Sequence, residues 1–286
     1  MNLERTYDVD INKLVDKTFK FLRNNDVPKH LSKTKNEKYD VHLMLVLYVL
    51  FCLADKSLRR FRRLIESCPP TTLTLKQVPS ISTMNRTWRR ISPSFLRHLV
   101  QLSGKGGRDK CVALDPTHFQ ITSPSLAYLK RIKRNPLREP NRKVSIATGT
   151  RSLRIIDVVI YKYSKRSGLD DLDKILGQWV KGKTVVADTE FDAQERFHDK
   201  VMDLGGKGVA PLRHKDIPIH RTHGARRKEL RRKWPGRTYH RRPLAETTNS
   251  MLKRGMGDTL RGRTVWQQAR HKYAKCFTHN MCLRCN

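Results

Sequence analysis

The chain sets 60 Lys and Arg against 26 Asp and Glu over 286 residues, a formal net charge of +34. Such a surface repels itself unless a polyanion neutralises it, so nucleic acid is the leading partner class and an anionic membrane surface the second. With 37% hydrophobic residues the chain can still bury a core, which excludes a disordered basic tail; its six cysteines lack the framework of a small secreted domain, and reduced thiols in a cytosolic compartment are the expectation.

Residues 1–105 read as helical. The first ten, MNLERTYDVD, carry no basic-then-apolar signal pattern. The best apolar run, 43–54, falls short of the roughly 20 residues of a spanning helix and reads as a buried helix opening near Asp40. A basic helix is expected over 57–67, ended by Pro69-Pro70. In LTLKQVPSISTMNRTWRRIS, Pro79 stops one segment, Ser80 or Ser82 caps the next, and Met84, Trp88 and Ile91 recur at helical spacing. A short helix, a turn and a capped helix bearing Asn85, Arg86, Arg89 and Arg90 read either as a helix-turn-helix or as two helices of an ordinary bundle with basic outer faces. SGKGGRDK, 103–110, is a Gly- and charge-rich linker and the expected domain boundary.

Beyond it, strands are expected at 111–115, 143–150, 153–164, 184–188 and 208–212, and helices at 169–180 and 192–205. This alternation implies a mixed sheet covered by helices. A basic stretch fills 213–242, and two helices close the chain at 243–256 and 264–284. CVALD and TVVAD are twins: each is an apolar run ending at an aspartate, Asp115 and Asp188. If the two strands are neighbours, the carboxylates lie side by side at the strand ends where ligand sites gather. Such a pair is costly unless a proton or cation sits between them, and Mg²⁺ favours carboxylate oxygens. The plain alternatives are a turn started by Asp115-Pro116 and a helix cap at Asp188. Asp157, inside a strand, and Asp192, at a helix start, are weaker competitors.

In YHRRPLAETTNSMLKRG, 239–255, Pro243 suits the first turn of a helix. Glu246 and Lys253, seven apart, share one face; Leu244, Thr248, Met251 and Leu252 turn toward a core, and Tyr239 and Arg242 sit on the approach. An exposed Glu with a Lys two turns on is the bland version of the same pattern. The order Tyr239, two residues, Arg242, three residues, Glu246, six residues, Lys253 resembles the Y-R-E-K signature of the DDE transposases of bacterial and archaeal insertion sequences, the grouping that includes insertion-sequence families four and five. LDPTHF around Asp115 and VVADTEFD around Asp188 resemble that family's first two motifs, and VPSISTMNRTWRRI is similar to the helix-turn-helix often found upstream.

The resemblance covers roughly 75–286 and implies an α/β, ribonuclease H-like mixed sheet flanked by helices. It implies a helical DNA-binding region over 1–105 and a catalytic domain over 108–286. Asp115, Asp188 and Glu246 are implied to hold two Mg²⁺ or Mn²⁺ ions about 4 Å apart. Tyr239, Arg242 and Lys253 are implied to grip DNA phosphates. The implied reaction is strand cleavage at insertion-sequence ends followed by strand transfer into target DNA; the alternative is an inactive or domesticated copy that only binds DNA. Terminal inverted repeats and target DNA are the implied partners, with a homodimer on paired ends and a cytoplasmic, nucleoid-associated setting in a prokaryote, and no membrane. The basic stretches 56–63, 130–138 and 213–242 are expected to track the DNA backbone. Two departures stand out. Glu190 occupies a position where many relatives have glycine, and the gap from Asp188 to Glu246 has no room for the large β-rich insertion that carries a base-flipping aromatic in some relatives; Trp234 is the aromatic at hand. Near the end, Cys276, His279, Cys282 and Cys285 are zinc-type ligands. One helix spreads them over half its circumference, so a packed terminal helix is the preferred reading.

Overall fold

The computed structural model describes residues 7–30, 39–73, 77–121, 141–160, 167–213, 216–262 and 264–285. Its helices, in chain order, are α1 (Ile11–Asn24), α2 (Val41–Ala54), α3 (Leu58–Ser67), α4 (Ile81–Arg90), α5 (Pro93–Gly104), α6 (Ala225–Arg232), α7 (Pro243–Met256) and α8 (Val265–Leu283), with several single turns between them. The strands are β1 (Cys111–Ile121), β2 (Asn141–Gly149), β3 (Ile155–Ile160), β4 (Thr184–Ala187), β5 (Lys207–Val209) and the two-residue β6 (Thr259–Leu260). The chain divides into two compact units, one of Met1–Ser103 with Met251–Asn286, the other of Gly104–Ser250.

The first unit is helical because its sequence supplies both caps and a core. Asp10, Asp40, Ser57 and Ser80 each cap the helix that follows, their side-chain oxygens accepting from the first backbone N–H groups. α2 is apolar all round and almost wholly buried, as a central helix must be. α4 packs Trp88 flat on Tyr48 of α2, ring centroids 4.4 Å apart, and the indole N–H donates to the Met44 carbonyl at 2.9 Å. The opposite face of α4 exposes Asn85, Arg86, Arg89 and Arg90. The short helix expected just before α4 falls in part on residues 74–76, outside the described residues; of its neighbours, Gln77–Ser80 are not helical, and α3 ends at Ser67. Among the described residues no single helix is long and apolar enough to cross a membrane. α8 is one unbroken helix that buries Cys276, His279 and Cys282, and the Tyr7 hydroxyl meets His279 Nδ1 at 2.5 Å. Cys276 and Cys282 are therefore packed side chains of a continuous helix, and Cys285, also buried, lies just past its end.

In the second unit five strands lie in the order β3-β2-β1-β4-β5. β1 pairs antiparallel with β2 and parallel with β4; β2–β3 is antiparallel and β4–β5 parallel. Alternate residues feed two cores, as the pleat dictates. Val112, Leu114, Val185 and Ala187 join Phe191, Phe197 and Val201 on one face. Cys111, Ala113 and Val186 meet Leu230 of α6 and Ala245 of α7 on the other. β1 does not stop at Asp115 but runs on to Ile121 beside β2. The expected helix 169–180 is a chain of short turns, because Gly177 takes an extended conformation (φ −156°, ψ −165°) that interrupts it. The expected helix 192–205 is a wide turn over Gln194–Asp199 followed by one α-turn, Lys200–Asp203. The basic segment 130–138 and the last part of the expected strand 153–164 lie outside the described residues.

Candidate active site

Strand register brings the two aspartates together. Leu114 of β1 stands opposite Ala187 of β4 in a parallel pair, so Asp115 and Asp188 are the next residue on each strand. Asp115 stays within β1, opposite Ile146 of β2. Asp188 leaves the sheet and opens a tight turn over Thr189–Phe191, its Oδ1 accepting from Thr189 N at 2.7 Å. The helix-cap reading of Asp188 thus describes one of its oxygens.

That turn is braced from several sides. Glu190 accepts from Gly168 N at 2.7 Å, from Ser167 Oγ at 3.0 Å and from Lys143 Nζ at 3.3 Å. Burial pushes the Glu190 carboxyl up, but these donors outweigh it and hold the group below its ordinary range. Arg213 donates to the Thr189 and Glu190 carbonyls at 3.1 and 2.9 Å. Arg227 forms a two-pronged pair with the fully buried Asp192 carboxylate, both contacts 2.8 Å. Glu190 is a brace, and Asp192 is the anchor of the turn. Asp157 sits on β3, two strands from β1, and is removed from the pair.

α7 supplies the third carboxylate. Its buried stripe is Ala245, Thr248, Asn249, Leu252 and Met256, spaced as one helical face; the sequence reading favoured Leu244 and Met251, which are only half-buried. Glu246 is exposed and Arg242 half-buried, one turn before it. Arg242 joins the group: Nη2 lies 2.7 Å from Glu246 Oε1, and Nη1 lies 3.5 Å from Asp115 Oδ1. Burial alone would lower the Arg242 guanidinium, but the charges of Asp188, Glu246, Tyr239 and Asp115 raise it above its ordinary value. Tyr239 belongs to the same group: burial is the main cause that raises its phenol, Asp188 and Glu246 add to it, and Arg242 opposes it. The exposed Trp234 ring lies 5.1 Å from the Tyr239 ring. Asn249, absent from the sequence-level site, donates from Nδ2 to Asp115 Oδ2 at 2.8 Å. Lys253, on the last turn of α7, falls in the other compact unit, where its charge helps depress Lys272.

Asp115, Asp188, Glu246, Arg242 and Tyr239 are therefore electrostatically one cluster. Among the described residues no group of three His, Cys, Asp or Glu is arranged to hold a metal ion as the side chains stand, and Asp115 and Glu246 both face Arg242. The donor set still suits a hard divalent cation, since three carboxylates share one guanidinium. Burial, then the Glu246 and Asp188 charges, lift the Asp115 carboxyl to about 6 against the pull of Arg242 and the Asn249 hydrogen bond. A half-buried carboxylate held so high among like charges is short of positive charge, which a metal ion supplies.

The basic stretch after Arg213 is partly committed to the fold. Arg213, Arg226, Arg227 and Arg231 bond to carbonyls or side chains within this unit, while Arg221, Arg232, Lys233, Arg237 and Arg241 are exposed.

Comparison with known families agrees with this reading at the level of the whole domain. Residues 106–281 match the family model described as Transposase DDE domain. No curated protein and no solved structure matches the chain. With more than half its length inside that match, the chain belongs to the transposase DDE-domain family, DNA-processing enzymes whose substrate is DNA.

Proposed function

We propose that the chain is an insertion-sequence transposase of the Y-R-E-K group that cleaves DNA strands at the element's terminal inverted repeats and transfers them into target DNA. The observation that carries this reading is the parallel register of β1 and β4, with Leu114 opposite Ala187, together with the Arg242 contacts that draw Glu246 to Asp115. Asp115, Asp188 and Glu246 are read as the ligands of Mg²⁺ or Mn²⁺. When bound, such ions activate the attacking oxygen and stabilise the leaving oxygen of an in-line phosphodiester displacement.

The chain's own residues have three tasks in this reading. The three carboxylates supply hard oxygen donors beside the central strands β1 and β4, and the brace at Glu190, Arg213 and Arg227 keeps Asp188 at the end of β4. Arg242 neutralises Asp115 and Glu246 in the free protein; with cations held by those carboxylates, its fork would be free to grip a phosphate oxygen pair. Tyr239 and Lys253 are the further phosphate donors, the second by its place in the signature. Residues 1–105 are read as the DNA-binding region, with α4 as its recognition helix, and 108–286 as the catalytic domain acting as a homodimer on paired ends.

The test is strand cleavage of terminal-repeat DNA with Mg²⁺ or Mn²⁺, comparing the parent with Glu246→Gln. Cleavage by the parent, abolished in the variant while DNA binding persists, is the expected result, and joined products identify strand transfer. Equal cleavage by both removes Glu246 from the site. Tight binding with no cleavage by either favours the DNA-binding remnant.

A further inference from the structure

We propose that Asn249 is a positioning residue of the candidate site, its amide fixing the Asp115 carboxylate and thereby the spacing between β1 and the turn of α7 that carries Glu246. This rests on the reading of Asp115 and Glu246 as metal ligands.

Asn249 is 5% exposed and lies three residues beyond Glu246, on the neighbouring stripe of the same helix. Its Nδ2 reaches Asp115 Oδ2 at 2.8 Å across 134 residues of sequence. Its Oδ1 is buried and has no hydrogen-bond partner among the described residues. These two facts fix the orientation of the amide: turned over, it would set an oxygen against the carboxylate oxygen. They also argue against a packing role. A buried amide that leaves its acceptor unmet is a poor filler, and an apolar side chain of similar volume would fill the same space without that desolvation cost.

The choice of amide over a second cation has a consequence. Arg242 cancels carboxylate charge, whereas Asn249 holds Asp115 without cancelling it and leaves the full negative charge for a cation. The division of labour extends to the two oxygens: Oδ2 is held by Asn249, and Oδ1 faces the guanidinium. Oδ1 is thus the oxygen that would change partner if a cation took the place of Arg242. Groups of this kind, which orient a ligand without touching the metal, commonly weaken metal affinity by about 10- to 100-fold when removed.

The experiment titrates Mn²⁺ into the full-length, DNA-free protein and follows the free ion by electron paramagnetic resonance. Parent, Asn249→Ala, Asn249→Leu and Asp115→Asn are compared, with thermal unfolding and DNA affinity measured alongside. Asn249→Leu keeps the branched shape and the number of side-chain heavy atoms, so the test survives if the alanine variant fails to fold. Support is Mn²⁺ binding by the parent, its loss in Asp115→Asn, and affinity about tenfold weaker in the Asn249 variants with unfolding and DNA affinity unchanged. A purely structural Asn249 would move the unfolding temperature and leave Mn²⁺ affinity at the parent value, and that result overturns the inference while the metal site stands. A parent whose Mn²⁺ binding does not depend on Asp115 overturns the metal-site reading and this inference with it.

Discussion

Arg227 and Arg232 stand five residues apart in one basic helix and are expected to respond to mutation in opposite ways. Arg227 meets a carboxylate, Asp192, whose side chain is 0% exposed, through two 2.8 Å contacts, and Arg213 N donates to the same carboxylate. Removing one partner of a buried ion pair strands the other charge, at a cost of about 3–5 kcal/mol. Arg227→Ala is therefore expected to lower the unfolding temperature sharply and to loosen the turn that carries Asp188. Arg232 is exposed. Arg232→Ala is expected to shift stability by no more than about 0.5 kcal/mol while weakening DNA binding. Thermal unfolding and DNA affinity of the two variants decide the matter; an Arg227→Ala protein as stable as the parent means the pair with Asp192 contributes nothing. The charge of a basic stretch is legible in the sequence. Which arginines brace the fold is not, because that depends on a carboxylate 35 residues away.

Elements whose reasons are local are the ones a sequence announces. α7 runs Pro243–Met256 as Pro243 and the apolar spacing predict, and α2 begins after its Asp40 cap. The Asp115–Asp188 pairing is legible from twin apolar runs, because buried parallel strands carry that composition. Asn249 is illegible for the opposite reason: a polar residue beside Thr248 reads as solvated until β1 is seen to pass over it. The segment after Asp192 is a further miss. Its helical spacing ends in a wide turn over Gln194–Asp199 that carries a nearly inaccessible His198, 1% exposed, neither ring nitrogen having a partner among the described residues. Burial is the main cause that depresses His198, to about 4, with Arg226 and Arg227 adding to it and Asp192 and Asp199 opposing. The sign follows. The folded state keeps the ring neutral down to about 4, while the unfolded chain takes up a proton below about 6.5. Its contribution to stability is thus complete above about pH 6.5 and is lost as the pH falls toward 4. Between pH 7 and pH 5 the loss amounts to about 2 kcal/mol. Urea unfolding of the parent and of His198→Phe at both pH values checks it: the variant is expected to lose less stability on acidification, and parallel losses in the two proteins would place the acid sensitivity elsewhere.

At the scale of the whole molecule, a net charge of +34 makes the salt dependence of DNA binding the most direct readout of which surfaces meet phosphate. α4 offers a clean case because its two faces are separate. Met84 and Trp88 are buried, while Arg86, Arg89 and Arg90 are exposed. Replacing Arg86 and Arg89 by alanine leaves the buried face intact and is expected to keep the unfolding temperature. If both arginines neutralise a phosphate, the slope of log affinity against log salt becomes shallower by about 1.8, at about 0.9 for each contact. The same variant separates two versions of the surface. An α4 that reads bases loses preference for terminal-repeat DNA over unrelated DNA, whereas an α4 that only follows the backbone weakens on both equally. With α4 read as the recognition helix, loss of the preference for terminal-repeat DNA is the expected outcome, and equal weakening on both would reduce α4 to a backbone contact. An unchanged slope would take α4 out of the DNA interface altogether and leave phosphate contact to surfaces such as Arg232, Lys233 and Arg237.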